Sequence, residues 1–467
     1  MSPSTGRNLD SVLPMSGTAP HIFRKRPAFV RVISRQASKP AITSALRALM
    51  VFGVVFGLAV LYGYTHFYRD PGSVFFDPKH AFVRWYSEYR EQEAKQYIDE
   101  AAKSPDELAK SPGHPKTGSN PAICATFTTV IRDAKEPYIE TSIGSTLQGL
   151  SIAERSDLNL SLLFASLDPA QHPTYHKAWV RDVVDHAYGY NDVLNAEDIA
   201  QLSSFEAQGA WQSKSSFDYR LALRQCYDHS SSPYIAIFEG DIILADGWMV
   251  RTLKALRDLE TQMKADTKKA DGDWLFLRLF NQERSTSWAS RSLGANYEAP
   301  LSILLACIAY AVLKLVRGRS NLVRKQLDAS AIMVICLVAI PSFVILFFQS
   351  GKASLLPPKA GVREELFGCC SQGLVFNRER IPALIDFLHT YEAIQYDLAT
   401  KAYAKMNNYS MFSLYPVQIQ HIGSRSSRPA NHDEAKAVWS MAFESLEPAQ
   451  LRSEHQKMLL DLYDTPR

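Results

Sequence analysis

Glu239 and Asp241 stand two residues apart, separated by Gly240, at the end of the apolar run Tyr234 to Phe238 (YIAIF). Two carboxylates at the mouth of a buried strand suit a hard divalent cation, which can bridge a diphosphate and offset the charge on a leaving nucleotide. The plainer account is an acidic turn after a strand end. Asp397, in QYDLATKAY, has the chemistry of a general base on an acceptor hydroxyl. Glu283, in LFNQERS just past an expected strand, is a second candidate for that role. Asp218, with Lys214 close by, precedes the acidic strand and could help to hold a nucleotide or the surroundings of a metal. An acid near a helix start also has a purely electrostatic explanation. His421, in QHIGS, follows an extended segment; a lone histidine is more often structural.

The elements that must position these residues alternate in type. Ile123–Ile131, Leu158–Leu167, Tyr234–Phe238 and Trp274–Phe280 are rich in β-branched, aromatic and aliphatic residues and read as strands. Tyr138–Leu150, Phe217–Tyr227 and Trp248–Leu259 read as helices. This predicts an α/β fold with a mostly parallel sheet, whose ligands sit at the carboxyl ends of the strands. Further on, Gly368–Leu388 carries a strand (GLVF) and a helix, Ile394–Ala404 is helical, and Ser413–Ile422 is extended. None of these would make an independent core, so 122–298 and 349–467 are expected to form one domain in two pieces. Val83–Leu108 reads as a polar stem helix and Ser111–Pro121 as a breaker-rich linker, within a stem region of 69–121.

Three apolar segments bound these pieces: Ala48–Tyr68, Ala299–Val316 and Ala329–Phe348. About 20 apolar residues cross a bilayer core of about 30 Å. The 18-residue second segment also fits a buried core helix. Eight basic residues and one acid, Asp10, precede Ala48; Lys314 at the end of the second segment and Arg317, Arg319, Arg324 and Lys325 after it stand against Asp328 alone. Short basic loops stay cytosolic. Both signals therefore predict a cytosolic tail (1–47), an anchor (48–68) and a two-span hairpin with a cytosolic loop (299–348), with both pieces of the α/β domain lumenal. The Arg-rich tail also has the composition of a mitochondrial transit peptide; the long uncharged span after it favours an uncleaved signal anchor. Residues 1–40, rich in Ser, Pro and Arg, read as disordered.

A formal net charge of +3 over 467 residues gives nucleic-acid binding no support. Of the six cysteines, Cys307 and Cys336 fall in apolar segments; Cys124, Cys226, Cys369 and Cys370 could form disulfides in an oxidising lumen, in a pairing that spacing does not reveal. Sequons occur at Asn159, inside an apolar alternating run that suggests an unused strand residue, and at Asn408.

The stretches FDYRLALRQC, PYIAIFEGDIILADGW, WLFLRLFNQERS, the hairpin, GCCSQGLVF, YDLATKAY and VQIQHIGSRSS run in order from about Lys214 to Arg428. Together they resemble the three-span Golgi glycosyltransferases that add an N-acetylgalactosamine side chain to the GPI anchor. A distant likeness is to the N-acetylglucosaminyltransferase IV enzymes, which share the acidic motif and the late histidine but not the hairpin. The resemblance implies a GT-A-type sheet, a UDP-sugar donor, Mn²⁺, a GPI-glycan acceptor, Golgi residence and inversion by a single displacement. It carries metal-binding roles onto Glu239, Asp241 and His421, and matches Cys369 and Cys370 to a cysteine pair. The family's E-D-D motif departs here to E-G-D, so Asp241 would carry the metal without a middle acid. Gly240→Asp is then expected to raise Mn²⁺ affinity or leave it unchanged. The same departure favours a rival, a scaffold or lapsed transferase that still binds GPI-anchored proteins or sugar nucleotides. A transporter has no support, since no charge lies inside the spans beyond the terminal Lys314.

The basic flanks generate a topology test. A cysteine placed at Ser320 is expected to label from the cytosolic side; labelling from the lumen alone would overturn the three-span arrangement.

Overall fold

The computed structural model describes residues 39–103, 117–131, 137–265, 274–283, 288, 297–365, 370–423 and 438–464. The tail up to residue 38, the end of the expected stem helix at 104–108, linker residues 111–116, Cys369 and residues 424–428 lie outside the described residues. Residues 58–300 and 343–467 make one compact unit; residues 1–57 and 301–342 make another.

The strands are β1 (Ile123–Thr129), β2 (Leu158–Phe164), β3 (His186–Gly189), β4 (Tyr234–Glu239), β5 (Ile242–Leu244), β6 (Trp274–Arg278), β7 (Gly361–Glu364), β8 (Gly373–Asn377), β9 (Ser410–Tyr415) and β10 (Ile419–His421). The helices that matter below are α1 (Lys39–His66), α2 (Tyr86–Lys103), α3 (Tyr138–Leu147), α4 (Trp211–His229), α5 (Trp248–Ala265), α6 (Glu298–Arg319), α7 (Ala329–Gln349), α8 (Ile381–Thr390), α9 (Tyr396–Met406), α10 (Met441–Glu444) and α11 (Pro448–Leu459).

Eight strands form one sheet in the order β3-β2-β1-β4-β8-β6-β9-β7. All run in one direction except β8, antiparallel to β4 and β6, and the edge strand β7, antiparallel to β9. The mostly parallel α/β sheet expected from the alternation is therefore present. Its central strands are apolar on both faces because helices cover both. In β4, Ala236 and Phe238 join a core with β1, α3 and α5, while Ile235 and Ile237 face α4, α8 and α9. Strands from either side of the apolar hairpin interleave: β6 precedes it in sequence and lies between β8 and β9, which follow it. The hairpin is thus an insertion within a single sheet.

Two covalent or close contacts tighten this unit. Cys124 on β1 is bonded to Cys226 on α4 across 102 residues of sequence, the pairing that spacing left open. Cys370 is disulfide-bonded as well. Asn159 is buried within β2, as the alternating run suggested.

The stem expectation needs correction. Residues 86–103 are not a free stalk but α2, packed on α3 with Tyr86, Arg90, Ala94 and Ile98 inward. Gly144 makes the crossing possible, since a Cβ there would stand 2.5 Å from the Ala94 carbonyl. Arg90, 0% exposed, donates to the carbonyls of Leu244 (3.1 Å) and Ser145 (2.9 Å) and pairs with Glu93 (2.6 Å). A guanidinium that satisfies backbone carbonyls in the core reads as a surface charge in the sequence.

Three helices are long and apolar enough to cross a membrane: Thr43–His66, Glu298–Arg319 and Ala329–Gln349. In α7 the turn Ile335–Ala339 widens to π geometry just before Pro341, whose ring lacks an N–H and displaces the carbonyl one turn earlier. The chain just past α1 is pinned to the chain just past α7. Val74 N–H donates to the Gln349 carbonyl (2.7 Å), and Ser354 N–H donates to Asp70 Oδ2 (2.9 Å). Gly351, at φ +90°, lies so close to the Asp70 carboxylate that a Cβ would fall within 2.4 Å of it.

The C-terminal helix α11 docks through His455, whose Nε2 faces Glu154 (2.9 Å) and whose Nδ1 faces Asp246 (3.4 Å). Burial opposes its charge, but the hydrogen bonds to Asp246 and Glu154 outweigh that and push its pKa up to about 9. The folded protein therefore holds the proton more tightly than the unfolded chain. The resulting stability, on the order of 3 kcal/mol, is complete below the ordinary histidine pKa and is lost as pH rises through 9. The melting temperature is expected to fall by roughly 5 °C between pH 7 and 9.5, and His455→Asn should remove most of that dependence. A melting temperature that stays flat over this range would exclude the imidazolium clamp.

Candidate metal centre

Glu239 is the last residue of β4, and the chain then turns through Gly240 and Asp241 into β5. β5 pairs antiparallel with β10, which sets His421 opposite Ile242. That pairing brings a C-terminal histidine to the acidic turn: His421 Nε2 lies 3.1 Å from Asp241 Oδ2, and Ile422 N–H donates to the Asp241 carbonyl (2.9 Å). Glu239, Asp241 and His421 each offer one ligand atom, all within 4.8 Å of one another. These are the three residues that the sequence singled out as metal ligands.

The place is also the one that topology favours. The chain leaves β1 to build β2 and β3 on one side, then returns to lay β4 on the other. A crevice forms where the order reverses, at the carboxyl ends of β1 and β4. Ser142, on α3, braces the turn: its Oγ lies 3.1 Å from the Gly240 carbonyl and 2.7 Å from that of Ile242, and accepts Ile242 N–H. Glu239 is held from the other side. Ser371 Oγ (2.8 Å) and Tyr396 Oη (3.3 Å) donate to its Oε1, and Gln372 Nε2 (3.4 Å) to its Oε2. Tyr396 is in turn stacked on buried Tyr219 at 4.4 Å. These donors aim the Glu239 carboxylate at the turn.

Two carboxylates and an imidazole form a donor set that takes Mn²⁺ and similar divalent ions. Asp241 is 3% exposed, and Gly423 supplies the room. A Cβ at 423 would stand 2.1 Å from Asp241 Oδ2 and 3.0 Å from His421 Nε2, so glycine keeps open the space where these atoms converge. The same geometry also serves a plain Asp–His hydrogen bond.

Gly240 has a different constraint. A Cβ there would lie 2.9 Å from the Thr128 carbonyl and 3.3 Å from Thr129 Oγ1, at the end of β1. The obstacle is backbone, which cannot swing aside. An acid at 240, expected to raise Mn²⁺ affinity or leave it unchanged, must first displace the mouth of β1. The wall behind Thr129 is rigid too. His172 Nδ1 accepts Thr174 N–H (3.2 Å), so Nε2 carries the proton and donates to Thr129 Oγ1 (3.1 Å); burial lowers its pKa to about 4 and keeps it neutral.

The remaining sequence candidates separate. Lys214 and Asp218 face each other at 3.0 Å, both buried, and share Tyr190, whose hydroxyl is 2.8 Å from Lys214 Nζ. Lys214 also donates to the carbonyl of Ala165 (3.0 Å), whose N–H is bonded to Thr129. The pair thus braces the strand mouths one strand away from the acidic turn. Glu283, 7% exposed, accepts from Ser440 Oγ (2.9 Å) and from the N–H groups of Met441 and Ala442 (3.0 Å each). Burial raises its pKa. It accepts from the first N–H groups of α10, away from the acidic turn. Asp397, half-buried in the first turn of α9, follows Tyr396 and so adjoins the group that touches Glu239. Sequence reasoning missed Ser142, Ser371, Gln372, Tyr396 and Gly423. Ser371, Gln372, Tyr396 and Gly423 lie within motifs that drew notice for other residues, whereas Ser142 carries no local signal.

No protein-family model and no curated protein matches the chain.

Gly423→Ala is expected to weaken Mn²⁺ binding to detergent-solubilised protein by about tenfold or more, and Asp241→Asn by at least as much, as read by calorimetric titration. Wild-type affinity in both variants would remove these residues from any metal centre.

Proposed function

We propose that the chain is a metal-dependent glycosyltransferase of GT-A type. It moves a sugar, of the N-acetylhexosamine class, from a UDP-sugar to the glycan of GPI-anchored proteins, in the Golgi with its α/β unit in the lumen. The observation that carries this is the convergence of Glu239, Asp241 and His421 at the switch point of the sheet. The insertion of the hairpin within one sheet adds support, since it matches the arrangement of the family that the motifs resemble.

Glu239, Asp241 and His421 would hold the cation. When bound, Mn²⁺ supplies positive charge against the donor's diphosphate. The neutral donors Ser371, Gln372 and Tyr396 keep Glu239 aimed, and Ser142 fixes the turn that carries Asp241. Asp397 is the residue to accept the proton of the acceptor hydroxyl as its oxygen attacks the anomeric carbon and the bond to UDP breaks. The rival, a scaffold or lapsed transferase, draws on one observation, the packing of Gly240 on the Thr128 carbonyl where the related motif has an acid.

UDP-sugar hydrolysis by the solubilised protein, with and without Mn²⁺, separates the two. The transferase should hydrolyse donor only with metal. Asp241→Ala should abolish turnover while the protein still reaches the Golgi, and Asp397→Asn should lower transfer by about 10²–10⁴-fold. Near-normal turnover in Asp241→Ala would overturn the metal role. A wild-type protein with no turnover on any UDP-sugar, and unaltered GPI glycans by mass spectrometry in cells lacking it, would favour the scaffold.

A further inference from the structure

Arg278 is the last residue of β6, at the carboxyl end of the strand. It is paired with Leu374 on β8, which is paired with Ile237 on β4. Paired residues share a face of the sheet, so Arg278 stands with Leu374 and Ile237 on the side that α4, α8 and α9 cover. Glu239, two residues beyond Ile237, is on the same side.

Arg278 is 5% exposed, yet its Nε and Nη1 have no hydrogen-bond partner among the described residues. The hydroxyl of Tyr219, on α4 and also 5% exposed, is in the same state. A run of rings joins the two. Arg278 Cζ lies 5.2 Å from the centre of the Phe276 ring, Phe276 meets Phe376 (5.8 Å), and Phe376 meets Tyr219 (6.3 Å). A ring face recovers only part of what a buried cation loses with its water. Buried polar groups are nearly always satisfied, so two such groups on one aromatic floor point to a ligand.

The chemistry of that ligand follows from theirs. A guanidinium donates and never accepts, so the ligand must bring acceptor oxygens. The surrounding charge is balanced. Glu365 is paired with Arg363 (3.7 Å), and Asp397 is the other acid that acts on Arg278. With no net positive charge to hold an anion, the place suits a neutral acceptor, and an amide carbonyl is a strong one.

The position says which molecule brings it. Tyr219 is stacked at 4.4 Å on Tyr396, whose hydroxyl donates to Glu239, a ligand of the proposed cation. The next residue is Asp397, which takes the proton of the acceptor hydroxyl in the transferase reading. The group that must stand between a metal-bound diphosphate and that base is the sugar being transferred.

We propose that Arg278 and Tyr219 select the donor by hydrogen-bonding the carbonyl oxygen of an N-acetyl group on its sugar. This rests on the transferase reading for the identity of the donor; the demand for a neutral acceptor oxygen stands on the two buried donors alone.

The test titrates full-length protein, in non-ionic detergent with Mn²⁺, with UDP, UDP-galactose, UDP-N-acetylgalactosamine and UDP-N-acetylglucosamine. At least one N-acetylated donor is expected to bind about tenfold or more tighter than UDP-galactose. Arg278→Met should erase that preference and leave the affinity for UDP unchanged, and Tyr219→Phe should reduce it in part. Without ligand, Arg278→Met should melt at or above the wild-type temperature, because methionine buries no charge. An unchanged preference in Arg278→Met, or no preference in wild type, would sink the assignment. So would a lower melting temperature together with an equal loss of UDP and UDP-sugar affinity, which marks a purely structural guanidinium. Hydrolysis of the same donors is measured in parallel. An N-acetyl preference that depends on Arg278, without hydrolysis, keeps the subsite and removes the transferase; hydrolysis with the preference intact in Arg278→Met does the reverse.

Discussion

The structure depends on β8, a five-residue strand that runs against its neighbours. It pairs along its length with β4 and along its middle with β6, and so joins β3-β2-β1-β4 to β6-β9-β7. Gly373 makes the fit possible: a Cβ there would strike Ile419 at 2.2 Å and Phe238 at 3.2 Å. Because β8 is antiparallel, its first residues emerge where β4 ends. Gln372 accepts Glu239 N–H through its carbonyl, and Ser371 and Gln372 hold the Glu239 carboxylate. One strand therefore closes the sheet and aims the acid.

The remaining geometry of the site comes from polar groups buried behind it. Ser142 fixes the turn, Arg90 ties α2 to β5 and α3, and Lys214 with Asp218 braces the carbonyl of Ala165 beside β1. Each is satisfied by backbone or by a paired charge, as buried polar groups must be. Removing any one leaves a buried partner unmatched, so these residues hold the strand mouths without touching a substrate.

Elements and site were legible in the sequence to different degrees. The alternation of ICATFTTVI, LNLSLLF and YIAIF with helical stretches was enough for a mostly parallel sheet, because continuous apolar runs arise when helices cover both faces. The direction of GLVF was not legible, since a short apolar strand reads the same whichever way it runs. The acidic turn stood out, and the late histidine joined it through resemblance; the pairing of β5 with β10 that brings them together is a long-range fact. α2 was misjudged because Ser87 and Arg90, polar by type, are core residues here. Gly240 looked like a missing ligand until the Thr128 carbonyl behind it was seen to leave no room for a side chain.

The interleaving of strands across the hairpin governs the order in which the protein can be made. When the ribosome has reached residue 300, β1, β2, β3 and β4 can pair, but the outer edge of β4 faces nothing and β6 has neither neighbour. Both wait while some seventy further residues, including the two long apolar helices, are synthesised and β8 arrives. An open apolar strand edge is a template for association with other chains. The nascent chain therefore passes through a stage at which its sheet is half zipped and its apolar helices are still being placed. That stage is where exposed strand edges and apolar helices are open to misassembly and to chaperones.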